Sequence, residues 1–249
     1  RGAALSFIDV CLLYGDTAET IYPVSRSGRF MEVKPSPETP LPEVSPRWRQ
    51  ACAHIDNAAE LREILIGAAG EFGDFSTADL ASVIDGQDFT GDAVAELEAS
   101  LRAAEGTGPL TPAAAVGAAF RGVFQECVDW HKVHGPMPGF RELSRTLERV
   151  AFGPPPVTAR RLLELIHSGV VNTDYLGMPG QIDSWREKGG VDLLIDATVA
   201  PQATPSPFHD VAGVVEIGRM NELSLPGHDS LNRSVHDDIP RWAEKVGNP

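Results

Sequence analysis

The chain has 249 residues, 42% of them hydrophobic and 22% charged, which is enough to bury a large core in one or two domains. Its net charge of −14 argues against general binding of nucleic acid or an anionic membrane surface, since both need a positive field. No apolar run approaches the ~20 residues of a membrane span, and no signal peptide is visible. Three scattered cysteines, Cys11, Cys52 and Cys127, make no CxxC pair and point to buried thiols in a reducing cytoplasm.

The opening residues organise the reading. Arg1-Gly2-Ala3-Ala4 is small and permissive, and leads into an apolar stretch in which Leu5, Ile8 and Leu12 fall at helical spacing with Val10 and Leu13 also apolar. This predicts a helix buried on most sides, ended at Gly15-Asp16. Thr20 to Ser25 then reads as a short strand, and Ser25-Arg26-Ser27-Gly28-Arg29 as a tight turn carrying two guanidiniums. That order suits a nucleotide-binding strand-turn-helix. A helix N-terminus receives a pyrophosphate through its free N–H groups and dipole, and an arginine after the next strand accommodates the 2′-phosphate of NADP. The first glycine of such a fingerprint would precede Arg1, so the chain is expected to start in mid-motif. An ordinary core helix is the plainer reading of the same residues.

Five prolines between Pro35 and Pro46 exclude helix and central strand there and predict a stiff linker. From Ala58 to about Val150 the pattern is helical. Asn57 to Glu60 reads as a capping box, Ser76-Thr77-Ala78-Asp79 precedes a second helix, and Ala93–Ala104 makes a third. Thr111-Pro112 opens a long helix ending at His134-Gly135-Pro136, and Phe140–Val150 makes the last. Consecutive helices without strands imply a helical subdomain, residues 47–150, inserted into an α/β body made of residues 1–46 and 151–249. After Pro154-Pro155-Pro156 a helix is predicted over Thr158–Ser168, with a short strand at Val170-Val171. Gly190–Thr198 and Val211–Arg219 carry the continuous apolar runs of buried parallel strands. A closing helix through Val235, Ile239 and Trp242 should kink or restart at Pro240.

Gly2-Ala3-Ala4-Leu5-Ser6-Phe7-Ile8-Asp9, followed by Val24-Ser25-Arg26-Ser27-Gly28, resembles the second dinucleotide fold of bacterial FAD/NAD(P)-binding oxidoreductases. Phe152–Pro156, Leu162–Ile166 and Ser168–Val171 are similar to the stretch that returns that domain to its sheet. Asp196-Ala197-Thr198 resembles the Asn/Asp-Ala-Thr-Gly end of a strand in the family, and Val214–Gly218 its last strand. The likeness covers both ends of the chain and skips the helical middle. It implies a Rossmann-like parallel sheet and an NADPH-to-FAD hydride transfer toward a small-molecule substrate. It places Gly2, Ala3 and Ala4 at the pyrophosphate, Ser25, Arg26 and Arg29 at the 2′-phosphate, and Asp196, Ala197, Thr198 and Gly218 at the junction with the flavin. The FAD-binding half would precede Arg1. Val199 stands where the family has glycine and Arg219 where it often has an acid. These departures favour an alternative, a non-catalytic binding or protein-interaction module that has lost its cofactor.

The remaining constellations have plainer explanations. His131 and His134 lie three apart on one helix, as in a metal pair, but a solvated face with one core tryptophan accounts for them better. His236-Asp237-Asp238 fits an acid-rich helix start. The helical insertion is a possible platform for a protein partner, which an exposed apolar patch would support.

Overall fold

The computed structural model describes residues 1–197 and 238–247. Among them are ten helices: α1 (Leu5–Tyr14), α2 (Pro46–Cys52), α3 (Ala58–Gly70), α4 (Thr77–Ile84), α5 (Ala93–Ala104), α6 (Pro112–His134), α7 (Phe140–Ala151), α8 (Pro156–His167), α9 (Gln181–Lys188) and α10 (Asp238–Gly247).

Local capping explains most of the starts. Asn57 accepts from the N–H groups of Ala59 and Glu60, and the Glu60 carboxylate reaches back to the Asp56 N–H at 3.1 Å. Ser76, Asp92 and Thr111 cap α4, α5 and α6 in the same way. Pro46, the last proline of the supposed linker, is the first residue of α2, where a missing N–H costs nothing. Pro240 likewise falls in the first turn of α10, so the helix starts around it and has no kink to make.

Two apolar clusters hold the body together. The larger packs α2, α3, α4, α6 and α7 around Leu61, Leu65, Leu80, Val116, Phe120, Val123 and Leu147. The smaller joins Phe7, Ile8 and Cys11 of α1 to Leu162, Leu163 and Leu165 of α8, with Phe30, Val33, Leu97 and Leu101. α5 belongs to this second cluster although it lies within residues 47–150, and its helical partners include α8 from beyond that stretch. Gly153 lets the 31–33 segment close over the start of α8, since a Cβ there would meet the Glu32 carbonyl at 1.8 Å.

The expected Rossmann-like parallel sheet is not there. The described residues are mostly helical, their only β-type pairings are isolated bridges, and they contain no sheet. Thr20–Ser25 forms no strand: it carries two isolated bridges, Gly2 with Val24 (antiparallel) and Ile21 with Val171 (parallel), and a bond from the Ser25 N–H to the Leu176 carbonyl. Pro23 in the middle of that segment has no N–H to give. The apolar run at 190–197 forms no strand; Leu193 is 65% exposed. A run of Val, Leu and Ile supplies surface to bury but does not supply the hydrogen-bonding neighbours that turn an extended segment into a strand. The expected strand over Val211–Arg219 lies outside the described residues.

α1 departs from expectation in a related way. Phe7, Ile8 and Cys11 are buried against α8, the one helix it packs on among those described. Leu5, Leu12, Leu13 and Tyr14 stay exposed, Leu13 at 74%. A helix with one neighbour can bury one stripe, whatever its total hydrophobicity.

Candidate functional site: the cleft beside α1

The residues that flank α1 in space come from both ends of the chain. The Ala197 N–H donates to the Arg1 carbonyl at 2.8 Å, and the Gly2 N–H donates to the Val24 carbonyl at 2.8 Å. Gly2 has φ +111°, and a Cβ on it would stand 3.1 Å from the Ala197 carbonyl oxygen, so glycine is needed for the two segments to meet. On the other edge the Ile21 N–H donates to Val170 and the Asn172 N–H to Ile21. Together these segments border a cleft of about 630 Å³ that runs along the side of α1.

Phe7, Val10 and Tyr14 of α1 line this cleft together with Tyr22, Trp185 and the 190–195 segment. Tyr22, Tyr175 and Trp185 make a mutual ring cluster, with centroids 5.2–5.7 Å apart. Gly190, at φ +116°, turns the chain across Trp185, leaving 3.4 Å between a hypothetical Cβ and the indole edge. The polar lining is acidic: Glu19 and Asp192 are exposed on it. Arg1 is its one basic side chain among the described residues, and the guanidinium is 3.7 Å from Asp196.

The predicted site residues separate. Gly2 and Ala197 come together and line the cleft. Ala3 is buried in the smaller core, and Ala4 is the exposed N-cap of α1, without a side-chain cap. Ser25 serves its own turn: its hydroxyl accepts from the Gly28 N–H at 3.1 Å and donates to the Leu176 carbonyl. Arg26 is exposed on that turn. Asp196 is exposed beside Arg1. Thr198 and Gly218 lie outside the described residues.

Arg29 differs most from expectation. Its guanidinium is 7% exposed, gripped by both carboxylate oxygens of Asp88 (Nη2 to Oδ2 2.8 Å) and by Glu96 at 3.1 Å from Nε. Phe89 lies under it, 5.3 Å from the ring centroid. Burial works against its charge, but the bonds and charges of Asp88 and Glu96 outweigh it and hold the guanidinium more firmly protonated than usual. For Asp88 burial opposes ionisation, while Arg29 and Arg149 prevail and its carboxyl sits below its ordinary range. Arg149 approaches Asp88 at 3.5 Å, and its own affinity for a proton is reduced by burial and by the nearby Arg29. Glu32 is 8% exposed; burial pushes its carboxyl up against the pull of Ser100, Arg149, Thr111 and Arg29. Burial drops Arg121 to about 10, despite the charge of Glu32; its Nη1 donates to the Ala151 carbonyl, and its Nε is left without a partner. Three arginines and three carboxylates thus tie the 29–33 segment to α5, α6 and α7. This is a structural clamp with balanced charge, and only the turn chemistry of Ser25 to Arg29 was visible in sequence.

The histidine pair is also engaged. His131 is 3% exposed, and its Nδ1 donates to the Cys127 carbonyl at 2.7 Å. Burial lowers its pKa, offset in part by that backbone bond. His134 stacks on Trp130 at 4.7 Å with Nδ1 on the Trp130 carbonyl. Large apolar residues exposed within 47–150 are separate ones, Phe89 and Val133, whereas α1 carries four. No helix among the described residues is long and apolar enough to cross a membrane.

No family model, curated protein or solved structure matches this chain. With no sheet among the described residues, the fold on which the expectation of Rossmann-type oxidoreductase chemistry with FAD and NADP was built is not supported.

Proposed function

We propose that this chain is a non-catalytic binding module whose ligand lies in the cleft beside α1. The supporting observation is a space of about 630 Å³ lined by aromatic, apolar and charged side chains from separated stretches of sequence. That size falls within the usual range of small-molecule sites. Perturbed ionisable groups tend to gather at catalytic centres. Here Glu32, Arg121 and Arg149 belong to the packed clamp and do not line the cleft.

The residues fit a dinucleotide phosphate poorly. Arg29 is already neutralised by Asp88 and Glu96, and the cleft carries the carboxylates of Glu19 and Asp192 on its lining. A second reading keeps a nucleotide, NADPH or FAD, as the ligand. One observation favours it: Gly2 and Ala197, from the two ends of the resemblance, are close neighbours that both line the same cleft.

Calorimetric titration with NADPH, NADH and FAD separates the two readings. The binding-module reading expects no preference of NADPH over NADH. It also expects Arg29→Ala to lower stability in urea by about 3–5 kcal/mol, the cost of leaving buried carboxylates without their partner. A clear NADPH preference lost in Arg26→Ala would favour the second reading. Saturation-transfer NMR with mixed small aromatic fragments tests the cleft itself, where wild-type protein should bind fragments that Trp185→Ala does not. Binding unchanged in that variant would count against the site.

A further inference from the structure

We propose that the cleft beside α1 selects a flat aromatic ligand bearing positive charge and rejects the anionic equivalent; this rests on the reading of the cleft as a ligand site. The aromatic side is built to hold a ring. Tyr22 and Trp185 line the space, their centroids are 5.7 Å apart, and Tyr175 stands behind both at 5.6 and 5.2 Å. Rings braced on one another in this way keep their orientation and lose little freedom when a ligand stacks on them. Their faces carry negative quadrupole density, which attracts a cation within about 6 Å.

The charges on the lining point the same way. Glu19 and Asp192 border the space, and Asp196 stands just outside it against the guanidinium of Arg1, the one basic side chain on the lining among the described residues. The molecule behind the cleft is itself acidic, at −14 overall. A positive ligand is therefore drawn toward the cleft and held by exposed carboxylates at its edge. An anion of the same shape meets two carboxylates and one basic side chain that already faces a third carboxylate. Both carboxylates are exposed, so the discrimination depends on ionic strength.

The test uses two probes of one ring system and opposite charge, N-methylquinolinium and quinoline carboxylate, titrated by calorimetry into the whole chain at low salt. The expected result is saturable binding of N-methylquinolinium about tenfold tighter than the carboxylate, corresponding to ordinary cation–π and rim-charge contributions. Glu19→Gln combined with Asp192→Asn should bring the two affinities together. Trp185→Ala should weaken both, with circular dichroism confirming that the variants keep their helices. Equal affinity of the two probes, or tighter binding of the carboxylate, overturns the charge selection while leaving the cleft as a ligand site. Failure of both probes to bind the wild-type chain overturns the selection and the ligand site together.

Discussion

At the scale of single residues, Glu32 shows how burial and partnership compete. Its carboxylate is pressed toward the neutral form by burial while Ser100, Arg149, Thr111 and Arg29 draw it toward ionisation, and burial prevails. A carboxyl with a raised folded-state pKa favours folding most fully below its unfolded value of 4.5, and that contribution is lost as pH rises through the folded value. Asp88 has the opposite sign: its depressed pKa gives stability above 3.8 that is lost on acidification. Glu32→Gln should therefore remove a penalty that grows above pH 4.5, so that the variant gains on wild type between about pH 5 and 7. Urea unfolding midpoints at both ends of that range check this, and a constant difference between the two proteins would argue against it. Arg29, read in sequence as a phosphate ligand, belongs to the same group of charges. Its type and its turn are legible in sequence. Its partners are not, because Asp88 and Glu96 lie 59 and 67 residues away and only the packing of α5 against the 29–33 segment brings them in.

At the scale of elements, helix ends were legible because their chemistry is local. Asn57, Ser76, Asp92 and Thr111 each bond an N–H two or three residues ahead, and no distant contact is required for that. α9 is not legible in sequence because Gln181–Lys188 has one buried residue, Ile182, and no side-chain cap. Helix packing adds constraints of its own. Gly117 on α6 faces the end of α7 so closely that a Cβ would stand 2.1 Å from the Val150 carbonyl oxygen. Gly117→Ala should force the two helices apart and cost about 1–3 kcal/mol, despite alanine's better helix propensity. A thermal melt showing a stabilised variant would mean that α6 and α7 do not cross at this glycine.

At the scale of the molecule, two apolar clusters are joined through α5 and the charged clamp, so the helical middle and the α1–α8 layer share elements. The three cysteines sample both. Cys11 lies in the smaller cluster, its thiol pushed up to about 12 by burial; Cys52 and Cys127 lie in the larger, where contact with Cys52 and burial push Cys127 up. All three are fully buried free thiols. Ellman's reagent should therefore leave native protein unlabelled over minutes and label all three on urea unfolding, in a single transition if the clusters unfold together. Rapid labelling of Cys11 alone would show that the α1–α8 layer opens independently of the rest.

By itself the sequence determined the helical content of residues 58–150, the capped helix starts, and the net acidity of the chain, all of which rest on interactions within a few residues or on simple charge. The tertiary structure alone decided that 20–25, 170–171 and 190–197 do not join into a sheet, because a strand exists only where a remote segment offers hydrogen bonds on its edge. It also decided that Arg29 is spent inside the body, and that Gly2 and Ala197 meet beside an aromatic cleft. Such pairings depend on where the whole chain goes, and no window of neighbouring residues contains that information.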